Sequence, residues 1–420
     1  MKKTLILFLF FCFSITLTFS QILTLYSWTW EKKASIPNGK RDRATGFSID
    51  EYGYLGTGLD TGNIVLQDFW RYDTLNNVWT QMADFAGGPR RDAIGFSLGH
   101  KGYLGTGCSD AFGFSELKDF WEYDPLTNIW TQRADYGGIT NQGVFKAVGV
   151  ASKTSGYVIG GRRSNSPIAE IWEYNPLFDI WGMKSPFPGG GRTDAMGFEL
   201  HGKIYFGTGT DDNFYRQDFW VYNPFVDIWV QKADYPGDPR TSGIGFSAFN
   251  MGFVGLGTDG GYKKDFWAFD DLTDTWMFIN MFKADERRGP AGFSFNDAAY
   301  VCTGKSYIGI KKDNWVLRKN AYNIDITGIE KSENQALTAS IFPNPMTDFA
   351  TVELLTQSDL QPIQVEILTL SGECVRRYGF SVEGKCLIYK ENLASGLYIV
   401  KISATKNGKL LQSFKKLVVQ

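Results

Sequence analysis

Histidine is almost absent from this chain: there are two in 420 residues, His100 and His201. A histidine-dependent catalytic triad or a His-rich metal site therefore has little to be built from. Cysteine is scarce as well, with five residues scattered along the chain, which is not the dense, even set of a disulfide scaffold. Charge of either sign is nearly balanced: the net charge of −2 gives no electrostatic case for nucleic acid or an anionic membrane as partner. Beyond the first 20 residues no run reaches the ~18 apolar residues of a membrane span. Gly189-Gly190-Gly191 lacks the Gly-Lys-Ser/Thr of a phosphate loop, and no EF-hand loop occurs. No metal and no cofactor is assigned.

Tryptophan, by contrast, is abundant and regularly placed. Twelve of the 13 tryptophans fall on a repeating ruler. Trp70, Trp121, Trp172, Trp220, Trp267 and Trp315 each stand two residues after an acidic residue, with Phe between in four and Ile171 or Asn314 in the other two, at spacings of 51, 51, 48, 47 and 48 residues. Trp79, Trp130, Trp181, Trp229 and Trp276 each follow nine residues later. Trp315 has no such follower, and Ile324 stands in its place. The missing partner is at the other end of the chain. Trp30 lies 16 residues before Gly46, as Trp79 lies 16 before Gly95. A linear stack has no use for that permutation. A closed ring does, because the first strand then completes the last unit.

A period near 50 residues indicates a solenoid, a propeller or an array. Within one repeat the pattern predicts four short strands: 44–49, 54–58, 68–72 and 78–81. Their β-branched and aromatic residues lie between Gly, Asn, Asp and Pro clusters. Asp124-Pro125, Asn175-Pro176 and Asn223-Pro224 mark third-to-fourth-strand turns, since Pro presets φ and the Asx side chain caps the backbone. The glycine pair Gly160-Gly161, the strand-three tyrosines Tyr72, Tyr123, Tyr174 and Tyr222, and the strand-four tryptophans resemble the kelch family, over about residues 22–318. The resemblance implies an all-β, six-bladed, galactose-oxidase-like propeller closed by the N-terminal strand. The chain departs from the family at one point: four units read Thr-Gly and one reads Leu256-Gly257, so only the second glycine is kept throughout. The tryptophans read as packing residues. Each buried aromatic removes about 150–250 Å² from water, roughly 4–6 kcal/mol before entropy.

The two ends carry other signals. Met1-Lys2-Lys3 followed by the apolar run 4–19 reads as a secretory signal peptide over 1–20. The propeller is expected over 21–319 and a polar linker over 320–340. Residues 341–420 read as a small β-sandwich, with strands at 351–354, 364–367, 397–402 and 414–419. Phe342-Pro343-Asn344-Pro345 with Asp348, Leu370-Ser371-Gly372-Glu373, Leu393–Tyr398 and the Lys-rich final strand resemble the type IX secretion C-terminal sorting domain. The resemblance implies an Ig-like sandwich, recognition by the type IX machinery, and a secreted or outer-surface location in a Gram-negative bacterium. Cys374 and Cys386 flank two strand candidates expected to be adjacent, which leaves a bridge open on an oxidising route; Cys108 and Cys302 are expected to be free.

Two charge series remain. Arg41, Arg90, Arg192, Arg240 and Arg287 stand five residues before the strand-one glycine, with Val144 in the third unit. Asp68, Asp119, Glu170, Asp218, Asp265 and Asp313 open strand three. Such repetition points to a structural ring of Arg–carboxylate pairs. The position three before the glycine varies instead: Arg43, Asp92, Lys146, Asp194, Ser242, Gly289. These residues should face the channel mouth as solvated groups, together with the unequal strand-two-to-three loops that carry Asp211 and Asp212. Variation on a repeated frame is where ligand specificity is written. The leading expectation is a binding protein for a glycan or protein ligand. The alternative is a carbohydrate-active enzyme, such as a sialic-acid epimerase or mutarotase-like propeller with an acid–base pair at the mouth. The copper chemistry of galactose oxidase needs two His and two Tyr converging, for which this chain has no set.

Overall fold

The structure, a computed structural model, describes residues 22–137, 142–325, 339–354, 363–369, 374–379, 385–390, 393–406 and 409–419. The expected signal peptide lies outside these. All regular structure in the described residues is β. One compact unit spans Trp28–Lys319, and the C-terminal strands belong to another.

The first unit is built on six four-stranded antiparallel sheets. Sheet one holds Thr45–Ile49, Tyr52–Gly56, Phe69–Asp73 and Val78–Gln81. Sheets two to five repeat it, with first strands Ile94–Leu98, Val148–Ser152, Met196–Leu200 and Ile244–Ala248. Sheet six joins Ala291–Phe295, Ala298–Cys302, Asn314–Asp325 and the N-terminal strand Ile22–Lys33. Each first strand packs beside the next, and that of sheet six beside that of sheet one. All six line a cavity of about 480 Å³. This is a β-propeller-like arrangement.

The strand-one glycine is needed for that approach. A Cβ on Gly46 would lie 2.5 Å from the Gly292 carbonyl oxygen, and one on Gly149 would lie 2.7 Å from Ile94. The flanking residues Phe47 and Ile49 are buried between sheets.

Consecutive sheets are also joined at their outer ends. Asn77 accepts hydrogen bonds from the Tyr72 hydroxyl and from the Ala34 N–H, both at 2.7 Å. Trp79 Nε1 donates to the Ala34 carbonyl at 2.7 Å. The same set recurs as Asn128, Tyr123 and Trp130 on Ala83, and as Asp179, Tyr174 and Trp181 on Ala134. Asp227, Tyr222 and Trp229 repeat it on Ser185. Between sheets five and six the joint is built differently, because Trp28 stands where the Asx residue should be. A register shift at Phe266/Trp267 accompanies a longer fourth strand, Thr275–Met281. Its Asn280 accepts from Trp30 Nε1 and donates to the Trp28 carbonyl, each at 2.9 Å.

Several local expectations are corrected. The second strand of sheet one starts at Tyr52, two residues early, because Ile49 pairs with Tyr52 across a two-residue turn. It ends at Gly56, because Thr57 and Gly58 take positive φ (60° and 102°). The strand Asn314–Asp325 runs into the expected linker, and another begins at Ala339.

The C-terminal unit has a three-stranded sheet (Ala339–Phe342, Phe349–Leu354, Lys385–Tyr389) and a four-stranded one. The latter is ordered Cys374–Gly379, Ile363–Leu368, Gly396–Lys406, Lys409–Val419. Alternating residues of both, among them Val352, Ile388, Val365, Ile402 and Leu417, form one core. Cys374 and Cys386 therefore lie in different sheets, and both are free thiols, as are Cys108 and Cys302.

If Asn280 holds the exceptional joint, Asn280→Ala should destabilise the protein by about 1–3 kcal/mol, leaving Trp30 Nε1 without its partner. Trp30→Ala should cost about 3–5 kcal/mol through the cavity it opens. Denaturant melts check both. Unchanged midpoints for the two variants would show that the N-terminal strand contributes nothing to sheet six.

Candidate functional site

Where each chain segment enters its first strand, one residue adopts the left-handed region: Arg43, Asp92, Lys146, Asp194, Ser242 and Gly289, with φ between 52° and 58°. That turn aims each N–H at the preceding sheet. Arg43 N donates to Gly289 O (2.9 Å), Asp92 to Arg43 (3.0 Å) and Lys146 to Asp92 (3.1 Å). Asp194 donates to Lys146 (3.0 Å), Ser242 to Asp194 (2.9 Å) and Gly289 to Ser242 (2.7 Å). The six backbone hydrogen bonds form a cycle.

Behind this cycle lie the repeated arginines. Arg41 is buried and holds Asp68 with two bonds (2.7 and 2.6 Å) and the Thr57 carbonyl with a third (3.1 Å). Arg90–Asp119, Arg192–Asp218, Arg240–Asp265 and Arg287–Asp313 repeat the two-bond pairing, and each arginine also donates to the carbonyl at the end of strand two. Those carbonyls belong to Thr57, Thr106, Thr208, Leu256 and Thr303, all at positive φ near 60°. A left-handed non-glycine residue costs about 1–2 kcal/mol, and the arginine fixes each one from its carbonyl side. The carboxylate also accepts the indole N–H of the Trp two residues on, as Asp68 does from Trp70 at 2.7 Å. That geometry accounts for the acid two residues before each of these tryptophans.

Sheet three has Val144 in place of the arginine. Its acid, Glu170, is held instead by Arg163, from the strand-two-to-three loop, at 2.7 and 3.0 Å. The break at Val144 and the pair Arg162-Arg163 were the signals that could have revealed this exchange.

Burial pushes the Asp68 carboxyl up, but the hydrogen bonds and charge of Arg41, with Trp70 and Asn38, outweigh it and the net shift is downward. Asp265 and Asp313 are lowered in the same way by Arg240 and Arg287.

At the mouth, Lys146 Nζ lies 2.8 Å from Asp194 and Arg43 lies 3.5 Å from Asp92. Arg91, from the position before, also pairs with Asp92. The expectation of solvated carboxylates is corrected here: the Asp92 and Asp194 side chains are only 6% and 15% exposed. Asp92 holds the Arg43 guanidinium above its ordinary range, with burial acting against it and Asp194 and Asp42 adding to it. Burial would raise the Asp194 carboxyl, but the charge and hydrogen bond of Lys146, with Arg43 and Ser242, bring it below the usual value.

A cavity of about 730 Å³ opens beside these groups over sheets three to six. Lys146, Asp194 and Asp212 line it; Arg43, Asp92 and Asp211 do not. Asp211 is occupied within its own loop, accepting from Asn213 N, Phe214 N and Arg216. Arg162 and Tyr262, from the strand-two-to-three loops expected at the mouth, also line the cavity; the reading of the sequence missed Arg288, Thr241 and Thr258 there. Arg288 and Thr241 sit one residue before the mouth position, a site that also varies between sheets (Asp42, Arg91, Phe145, Thr193, Thr241, Arg288). His100 and His201 lie in first-to-second-strand turns, against Asp50 and against Asp271 with Asn250. Among the described residues no cluster of His, Cys, Asp and Glu is arranged to hold a metal.

Residues 340–420 match the family model of the secretion system C-terminal sorting domain. This segment is a type IX sorting domain. It marks the protein as secreted or cell-surface, exported by the type IX pathway. Among the described residues no helix is long and apolar enough to cross a membrane. No curated protein matches the chain. Among solved structures it is similar to one titled "Structure of YjhT", at 16% identity and a TM-score of 0.57, over 69% of this chain and 99% of that one. At that identity the likeness is one of fold.

Arg163→Ala should cost about as much as Arg90→Ala, roughly 3–5 kcal/mol, since each strands a carboxylate. Adding Val144→Arg to Arg163→Ala should recover part of the loss. Because the folded-state pKa values of Asp68, Asp265 and Asp313 are depressed, their contribution is whole above the ordinary value of about 3.9. It is lost as pH falls through the folded values. Thermal melts from pH 7 to pH 2 check both points. A double variant no more stable than Arg163→Ala would show that Arg163 does not substitute for the missing arginine.

Proposed function

We propose that the protein is an exported binding protein: a closed, six-bladed, kelch-type propeller whose mouth cavity takes a glycan or protein ligand, carried by its type IX sorting domain. The observation that carries this reading is the contrast between frame and cavity. The arginine ties, the tryptophan joints and the backbone cycle repeat from sheet to sheet, while the mouth residue differs between each sheet and the next, and over sheets three to six the cavity wall varies around a threonine pair that sheets four and five share. A uniform frame with a varied wall is the layout expected of a recognition surface. The cavity volume of about 730 Å³ is within the range of small-ligand pockets, which favours a saccharide unit or a single inserted peptide side chain. In this reading the buried arginines are structural, and Lys146, Asp194 and Asp212 take part in binding, with Arg43 and Asp92 shaping the mouth behind them.

Binding is favoured over acid–base catalysis at the mouth. Asp194 is held below and Arg43 above the ordinary value, so both stay charged near neutral pH. A general acid or base works best with a pKa near the operating pH.

The test is a glycan array probed with the full chain and with Thr258→Trp, which fills the cavity from a wall position outside the arginine ties. Wild type should retain a defined set of glycans. The variant should lose them about tenfold or more while melting within about 2–4 °C of wild type. Undiminished binding by the variant would remove the mouth from consideration.

A further inference from the structure

Three cations and two carboxylates line the mouth cavity: Lys146, Arg162 and Arg288 against Asp194 and Asp212. Lys146 is paired with Asp194 and Arg162 with Asp212. Arg288 is left over. Among the described residues its half-buried guanidinium has no hydrogen-bond or ion-pair partner. Lys305, its backbone neighbour across the bridge between the two residues, has none either. The carboxylate whose field both feel is Asp42, which is buried and shared with Arg43 at 3.9 Å. Two unpaired cations near one shared carboxylate leave this side of the mouth positive, in a protein whose net charge is −2.

The same side carries a fixed aromatic wall. Tyr262 packs on Tyr307 with ring centroids 4.5 Å apart, and its N–H donates to the Tyr307 hydroxyl at 3.0 Å. Thr241, Ser242 and Thr258 add hydroxyl-bearing side chains to the lining of the same cavity. A guanidinium presents a planar fork that matches a carboxylate or a sulfate. An aromatic ring offers a flat apolar surface with a polar tip.

We propose that Arg288 is the anchor of an anion subsite, and that the cavity ligand is an acidic saccharide unit. Its carboxylate or sulfate sits on Arg288, its ring face lies on Tyr262, and its hydroxyls reach the threonines. This rests on the reading of the mouth as the ligand site and adds the ligand's charge and the residue that selects it.

Calorimetric titration of the full chain with glucuronic acid, glucose 6-sulfate and glucose tests it. At least one of the two anionic sugars should bind about tenfold or more tightly than glucose, as expected for a charge-assisted pair, and the two arms separate carboxylate from sulfate. Arg288→Gln should erase the preference and Arg288→Lys should keep part of it. Thr258→Trp should abolish binding of all three sugars. If all three sugars bind wild type equally and Thr258→Trp removes them, the anion subsite is wrong and the mouth remains the site. If an anionic preference survives Arg288→Gln, or no acidic sugar binds at millimolar concentration, the proposal is overturned. If binding survives Thr258→Trp, the mouth reading falls with it.

Discussion

A four-stranded sheet with apolar residues on both faces must be covered on both, and the repeated features of this chain follow from that constraint. Phe47 and Ile49 fill the space between neighbouring sheets, and glycines such as Gly46 and Gly149 let the first strands approach closely. Five of the six fourth-strand tryptophans reach the chain leaving the preceding sheet, and the Asx residue two before each meets the same segment; Trp30 meets Asn280 instead. A sheet with no neighbour would expose these groups together, so the joints stabilise the set and no single sheet.

The sharp entry into each first strand meets the same requirement locally. The chain must turn in from a buried loop, and it does so through a left-handed residue at the mouth. A second left-handed residue ends strand two, where a buried arginine takes its carbonyl and the strand-three carboxylate together. Burying that charge is tolerable only because it is paired and hydrogen-bonded. The frame so fixed leaves the mouth side chains free to differ, and Arg43, Asp92, Lys146, Asp194, Ser242 and Gly289 do differ. Stability is placed in the repeated positions and recognition, in our reading, in the varied ones.

Much of the frame could be read from spacing alone, because each unit solves the same packing problem with the same residues at the same distance. The tryptophan ruler marked the strands, and Trp30 marked the strand that joins sheet six. Exceptions were harder to see, since a partner that comes from elsewhere in the chain leaves no periodic trace. Arg163 replaces an arginine 19 positions earlier in the pattern, and Asn280 replaces an Asx residue from the neighbouring sheet. The end of strand two was placed too late because Thr57 favours strands by propensity, whereas the Arg41 tie and the Asp68 carbonyl bond (3.1 Å) fix it in a turn. The cavity was legible only in part: Lys146, Asp194 and Asp212 line it, whereas the wall residues Thr241, Thr258 and Arg288 depend on how six chain entries meet in space.

We propose that the six sheets form one closed, cooperative ring, and the backbone cycle at the mouth tests it most directly. Hydrogen exchange of the Arg43, Asp92, Lys146, Asp194, Ser242 and Gly289 amides measures the opening of each joint. A closed ring predicts that all six exchange only through global unfolding, with the protection of the core strands. Faster exchange confined to Arg43, whose N–H crosses from sheet one to Gly289 of sheet six, would show a seam there and contradict closure.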